Sequence, residues 1–264
     1  MKLYGLIGFP LGHSFSKRYF TEKFEKEGID AQYLNFEIED ITAIKDIVKQ
    51  HPDLAGFNVT IPHKQTIIPY LSTISEEVKE IGAVNCVKID RTASTAGTDT
   101  TNVTSIGYSL KGYNTDCYGF AASLAHFIPK HIKRALVLGS GGGSKAVQYV
   151  LRKRGINYFV VSRNPQPTTN VKGAQEISYA DAAQYVPTYT LLINTTPLGM
   201  HPKTEYCPEL PYEQLTSSHY LFDLIYNPEK TLFLQKGEAQ GAHTCNGMEM
   251  LIGQAEKGWE VWNP

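Results

Sequence analysis

Short apolar runs alternate with stretches of helical periodicity along the chain, the order that builds βαβ units around a mainly parallel sheet. The first apolar run, residues 3–8, predicts a strand. Residues 17–27 carry Tyr19, Phe20 and Phe24 at helical spacing and stop at Gly28, a residue suited to a left-handed helix cap. The pattern then predicts a strand over 32–38, a helix over 41–49, a strand over 54–59, a short helix closing over 78–81 and a strand over 83–89. Residues 91–105 are rich in Thr, Ser, Gly and Asn and predict a long exposed hairpin loop; a return strand over 106–113 and an amphipathic helix over 116–126 follow.

A second series opens with a strand over 135–138 that runs directly into Gly139, Ser140, Gly141, Gly142, Gly143 and Ser144, with a helical pattern from there to Arg154. Strands are predicted over 158–161, 191–193 and 220–224, and a last helix over 248–262 that returns to the first series. The 264 residues suffice for two ordinary domains. The expected fold is α/β: a substrate domain with a mainly parallel sheet, formed by residues 1–112 and 245–264, a dinucleotide-binding Rossmann domain over 113–244, and a cleft between them.

Hydrophobic residues make up 42% and charged residues 19% of the chain, a balance that supports a buried core. Lys plus Arg (25) nearly cancel Asp plus Glu (26), so no general field draws the chain to nucleic acid or to an anionic membrane. The expected partner is a small molecule held by local groups. Cys86, Cys117, Cys207 and Cys245 stand far apart without a CxxC pair, which suggests neither a disulfide framework nor a metal site and fits a reducing cytoplasm. The opening run is broken by Gly5, Gly8 and Pro10 and reads as a strand rather than a signal peptide. No run approaches the roughly 18 apolar residues of a membrane span. No heptad or interface patch is legible, so monomer and homodimer both stand.

A glycine-rich turn means little alone, but here it follows a strand and opens a helix, the context of dinucleotide binding. Gly139 permits the tight turn, Gly141 lets the backbone approach a pyrophosphate, and the helix N-terminus offers amides and partial positive charge. The third position is Ser144, still small. After the next strand come Ser162, Arg163 and Asn164. The absence of a carboxylate there, together with a guanidinium suited to phosphate, favours NADP over NAD. Lys64 ends a strand-and-proline segment, Asn58 to Lys64, in which Pro62 can start a helix. A lysine there can act as a general acid or as a fixed cation, though most lysines do neither. Asp116 either caps the following helix or pairs with Lys64 for proton handling. Ser14 and Ser16 could present two hydroxyls to one carboxylate or form an ordinary turn. His63, next to Lys64, should point elsewhere, and His13 is expected to support the serine loop.

Taken together, these segments resemble the shikimate dehydrogenase family through nearly the whole chain. Ser14 and Ser16 resemble its serine pair, Asn58 to Lys64 its NVTxPxK motif, residues 83–85 its AVN motif and residues 114–116 its NTD motif. The glycine turn resembles its GxGG loop and residues 162–164 its NRT segment; residues 194–200, 223–228 and the terminal GMxML stretch with Gln254 have a familiar form. The resemblance implies that Lys64 and Asp116 are the catalytic pair and that Ser14, Ser16, Thr60, Asn85, Tyr226 and Gln254 bind substrate. It implies that Gly139, Gly141, Gly142, Gly143, Ser162, Arg163, Asn194, Thr195 and Gly247 bind NADP. The implied reaction is reversible reduction of 3-dehydroshikimate to shikimate by NADPH. Lys17 stands where the family usually has proline, and Ser162 and Asn164 replace the usual Asn and Thr beside the phosphate arginine. A quinate/shikimate dehydrogenase using NAD is the near rival, against which Arg163 argues. A methylenetetrahydrofolate dehydrogenase would have no role for Ser14, Ser16 and Asp116, and a non-enzymatic NADP sensor would not need Lys64 with Asp116.

Overall fold

A computed structural model describes residues 1–12, 14–92, 107–166 and 175–264. Its contacts divide the chain into two compact units, Met1–Thr115 with Lys257–Pro264, and Asp116–Glu256. The first unit holds β1 (Lys2–Gly8), α1 (Phe15–Glu27), β2 (Ala31–Glu37), α2 (Ile44–Gln50), β3 (Leu54–Val59), β4 (Thr73–Ile74), α3 (Glu76–Ile81), β5 (Cys86–Thr92) and β6 (Gly107–Tyr113). The second holds α4 (Asp116–Phe127), β7 (Arg134–Leu138), α5 (Gly142–Lys153), β8 (Asn157–Ser162), β9 (Gln175–Ser178), α6 (Tyr179–Ala182), β10 (Leu191–Asn194), β11 (Tyr220–Asp223), α7 (Leu232–Ala239) and β12 (His243–Cys245). The final helix, α8 (Met248–Trp262), starts in the second unit and ends in the first.

The first sheet runs β2-β1-β3-β5-β6-β4. β1 is parallel to β2 and β3, β4 is parallel to β6, and β5 is antiparallel to β3 and β6. One face packs Ile7, Phe57, Val59 and Val87 against Ile44 and Val48 of α2 and Val78 of α3. The other face carries Tyr4 and Tyr33, covered by Phe20 and Phe24 of α1 and by Trp259 and Trp262 of α8. Trp262 lies directly on Gly56, where a Cβ would collide with its indole, and its Nε1 donates to the Val87 carbonyl at 3.0 Å. Both faces are therefore buried, as near-continuous apolar strands require.

Several expectations change here. No helix starts at Pro62: residues 61–67 form consecutive turns closed by His63 N–H to Thr60 O and Ile67 N–H to His63 O. The strand expected from residue 83 begins at Cys86, because Val84 N–H turns instead to the Lys64 carbonyl at 2.7 Å. Arg91, expected in the loop, lies in β5, and its guanidinium donates to Val48 O and His51 O at the end of α2. The rest of that loop, residues 93–105, and His13 lie outside the described residues.

The second sheet is wholly parallel, in the order β12-β11-β10-β7-β8-β9. The order reverses between β7 and β10, the place where open α/β sheets bind ligands beyond the carboxyl ends of their strands. Leu136, Leu138, Val161, Leu192, Leu221 and Phe233 form part of one buried layer. On α4, Gly119 lets α8 approach closely: a Cβ there would meet the Met250 carbonyl and lie 2.8 Å from Gln254 N. No helix among the described residues is long and apolar enough to cross a membrane.

Candidate active site

In the first unit the candidate residues sit where β1, β3 and β6 end. Ser14 is the N-cap of α1, its hydroxyl accepting the Lys17 N–H at 3.2 Å. Two residues on, the Ser16 hydroxyl lies beside the phenol of Tyr33. Tyr33 O–H donates to Asn58 Oδ1 at 2.8 Å, and Asn58 Nδ2 donates to the Asn85 carbonyl at 3.3 Å. The Asn85 amide is held by Thr115, whose N–H donates to Oδ1 at 2.6 Å and whose Oγ1 accepts from Nδ2 at 3.0 Å. Tyr33, Asn58 and Asn85 thus belong to one buried network that ends at Thr115, the residue before Asp116, with the half-buried Ser16 at its edge. Burial pushes the Tyr33 phenol well above its usual range, with the Cys86 thiol adding to the shift and the Ser16 bond opposing it. It stays a neutral donor.

Thr60 follows β3, its N–H bonded to Ile7 O at 2.9 Å. Lys64 is half-buried in the turns that follow. His63 is buried, with Nε2 against Ile38 O at 2.8 Å, which removes it from the lysine side. Asp116 is buried as the first residue of α4 and belongs to the second unit, whereas Lys64 belongs to the first.

In the second unit the glycine turn has the geometry its sequence implies. Gly139 has φ +104°, a conformation that disfavours any side chain, and Thr195 Oγ1 lies 2.8 Å from where its Cβ would be. Gly141 is the N-cap of α5 and faces open space, and Gly142 and Gly143 are the first helical residues. The first amides of a helix have no partner within it, so a phosphate suits them. Ser162 ends β8; it is 8% exposed, and its buried Oγ has no hydrogen-bond partner among the described residues. Arg163 beside it is exposed. An open glycine turn beside an unmatched buried hydroxyl and an exposed guanidinium fits a phosphorylated dinucleotide.

Thr195 closes the turn from the other side, its N–H and Oγ1 both bonding Leu138 O, at 2.9 and 2.7 Å. Asn194 is fully buried: its Nδ2 donates to Asp223 Oδ1 at 3.0 Å, and its Oδ1 accepts from Thr196 N and Oγ1. Tyr226 is half-buried in the loop after β11. Gly247 N–H bonds Ile225 O at 3.0 Å, and a Cβ on it would strike the Leu224 backbone. Its glycine is thus required by packing, whatever it binds. Gln254 is buried on α8 beside Gly119. Tyr33 was not singled out from the sequence, and Asp223 only as the first residue of the 223–228 segment. For Asp223 there was a signal, a lone carboxylate within the apolar run from Tyr220 to Ile225. Among the described residues no group of three His, Cys, Asp or Glu could hold a metal.

The family model for the shikimate dehydrogenase substrate binding domain matches residues 6–87. A shikimate dehydrogenase (NADP(+)) of Methanococcus maripaludis is 36% identical over 275 residues, covering 99% of this chain and 91% of that protein. A chorismate mutase/shikimate 5-dehydrogenase fusion protein from Clostridium acetobutylicum superimposes with TM-score 0.84 at 35% identity, covering 100% of this chain and 91% of that one. The shikimate 5-dehydrogenase of Thermus thermophilus, solved with NADP(H) and shikimate, gives TM-score 0.82 at 29% identity over 100% of this chain and 94% of that one. By this full-length likeness, the chain belongs to the shikimate dehydrogenase family.

Proposed function

We propose that the chain catalyses the reversible NADPH-dependent reduction of 3-dehydroshikimate to shikimate. The observation that carries this reading is the likeness to NADP-dependent shikimate dehydrogenases over 99% of the chain, which takes in both units. Gly139, Gly141, Gly142, Gly143, Ser162, Arg163, Asn194, Thr195 and Gly247 hold NADP, with Arg163 against the 2′-phosphate. Ser14, Ser16, Thr60, Asn85, Tyr226 and Gln254 hold the substrate. The bound nicotinamide supplies or accepts the hydride. Lys64 donates the proton that quenches the alkoxide oxygen during reduction, and Asp116 orients the Lys64 ammonium and the substrate hydroxyl. Positioned proton transfer of this kind is worth about 10² to 10⁴ in rate. The four free cysteines suit a reducing compartment such as the cytoplasm.

The test is NADP⁺ reduction with shikimate, run beside quinate and NAD⁺, on the wild-type protein and on Lys64→Ala. Turnover centred on shikimate with NADP⁺, and a loss of about 10² or more in kcat for the folded variant, is the expected result. Turnover mainly with quinate and NAD⁺ would replace this reading with the rival one. Tight NADP binding without turnover of either acid would leave a cofactor sensor.

A further inference from the structure

We propose that Asp223 is a positioning residue for the nicotinamide half of the cofactor, its one buried carboxylate tying the loops after β10 and β11 to the first turn of α7. This rests on the dinucleotide reading given above. Asp223 ends β11 and is fully buried. Its Oδ1 accepts from Asn194 Nδ2 and from Ile225 N–H, each at 3.0 Å, and its Oδ2 accepts from Thr231 Oγ1 at 2.5 Å. Thr231 is the N-cap of α7. Asn194 passes the constraint onward, since its Oδ1 holds Thr196 and its Nδ2 also reaches Leu198 O at 3.4 Å. Ile225 does so too, its carbonyl holding Gly247 N–H.

A fully buried carboxylate is a costly way to fill space. Burial pushes this one up to about 6, and the groups that oppose the shift are its hydrogen-bond donors rather than any charge. Leucine would plug the same volume at less cost. What leucine cannot do is accept from Asn194, Ile225 and Thr231 at once; the first two lie beside Thr195 and Tyr226, and the Ile225 carbonyl holds Gly247.

Their place in the sheet decides which half of the cofactor they serve. A doubly wound sheet binds one mononucleotide on each side of its reversal point. Here β7 and β8, with the glycine turn, Ser162 and Arg163, form one side, and β10, β11 and β12 form the other. The adenosine phosphate groups belong to the first side. Asp223 therefore mounts the residues that meet nicotinamide and leaves the adenosine side untouched.

Two ligands separate this role from a general weakening of the unit: NADPH, which spans both sides, and adenosine 2′,5′-bisphosphate, which needs only the first. Dissociation constants are measured by fluorescence for NADPH and by calorimetry for the bisphosphate, on wild type, Asp223→Ala and Asp223→Asn. The expected result is NADPH binding weakened at least about tenfold in Asp223→Ala, the order of one lost hydrogen bond to a charged group, with bisphosphate binding within about twofold. Asp223→Asn, which keeps Oδ1 as acceptor and can turn its amide to Thr231 Oγ1, should stay within about threefold for both. Should Asp223→Ala not fold, Thr231→Val removes the donor to Asp223 Oδ2 from its other end and carries the same expectation. Equal weakening of both ligands, or unchanged NADPH binding, overturns the proposal. Wild-type protein that binds neither ligand overturns the dinucleotide reading and this proposal with it, a failure visible before any variant is compared.

Discussion

At Gly247 an added Cβ would lie 2.6 Å from the carbonyl carbon of Leu224, a backbone atom with no rotamer to yield. Gly247→Ala should cost about 1–3 kcal/mol, as overpacking does, and an unchanged urea midpoint would refute the packing reason for this glycine. Asp223 makes a prediction of a different kind. Its carboxyl sits at about 6 against an ordinary 3.8, so the folded state binds the proton more tightly than the unfolded chain. The resulting stabilisation is complete below about pH 4 and is lost as pH rises through about 6, on the order of 1–3 kcal/mol. Wild-type stability should fall over that window relative to Asp223→Asn; parallel pH curves for the two proteins would show that the carboxyl does not titrate there. The candidate residues could be picked out because few residue types suit the roles proposed for them: glycine at φ +104°, an arginine for a phosphate, paired serines for a carboxylate. Tyr33 was not legible, because an aromatic in a strand reads as core until its hydroxyl is seen to donate to Asn58.

Among the elements, β3 and α8 match the expected spans of 54–59 and 248–262, since each has a sustained pattern with clear ends. β4, β9 and β12 run to four residues at most and were missed. So short a strand has no periodicity of its own, and its existence depends on a neighbour already in place. The helix expected after Pro62 failed for a related reason. Local propensity allowed it, but His63 is drawn to Ile38 O and Lys64 O is taken by Val84 N–H, contacts made by residues far along the chain. α8 ends the opposite way, with Trp262 buried at 4% exposure among Tyr4, Phe20 and Tyr33. Trp262→Ala should cost about 3–5 kcal/mol. A loss under about 1 kcal/mol in denaturant unfolding would mean the helix end is not anchored by that ring.

For the whole molecule, the balance of 25 basic and 26 acidic residues leaves cofactor choice to local groups, for which Arg163 is the residue proposed. Arg163→Ala should lower kcat/KM for NADP⁺ about tenfold or more while leaving NAD⁺ nearly unchanged. Equal losses with both cofactors would take the phosphate role from this residue. Sequence alone determined the alternation of strand and helix, the glycine turn and the residue types at each candidate position, because periodicity, glycine freedom and side-chain chemistry are local properties. It could not determine that β5 runs antiparallel to β3 within the first sheet, that the second sheet reverses between β7 and β10, or that one carboxylate at Asp223 ties the end of β10 to the loop after β11 and the cap of α7. Those depend on which distant groups meet, and a buried hydrogen bond has no partner until the chain has closed around it.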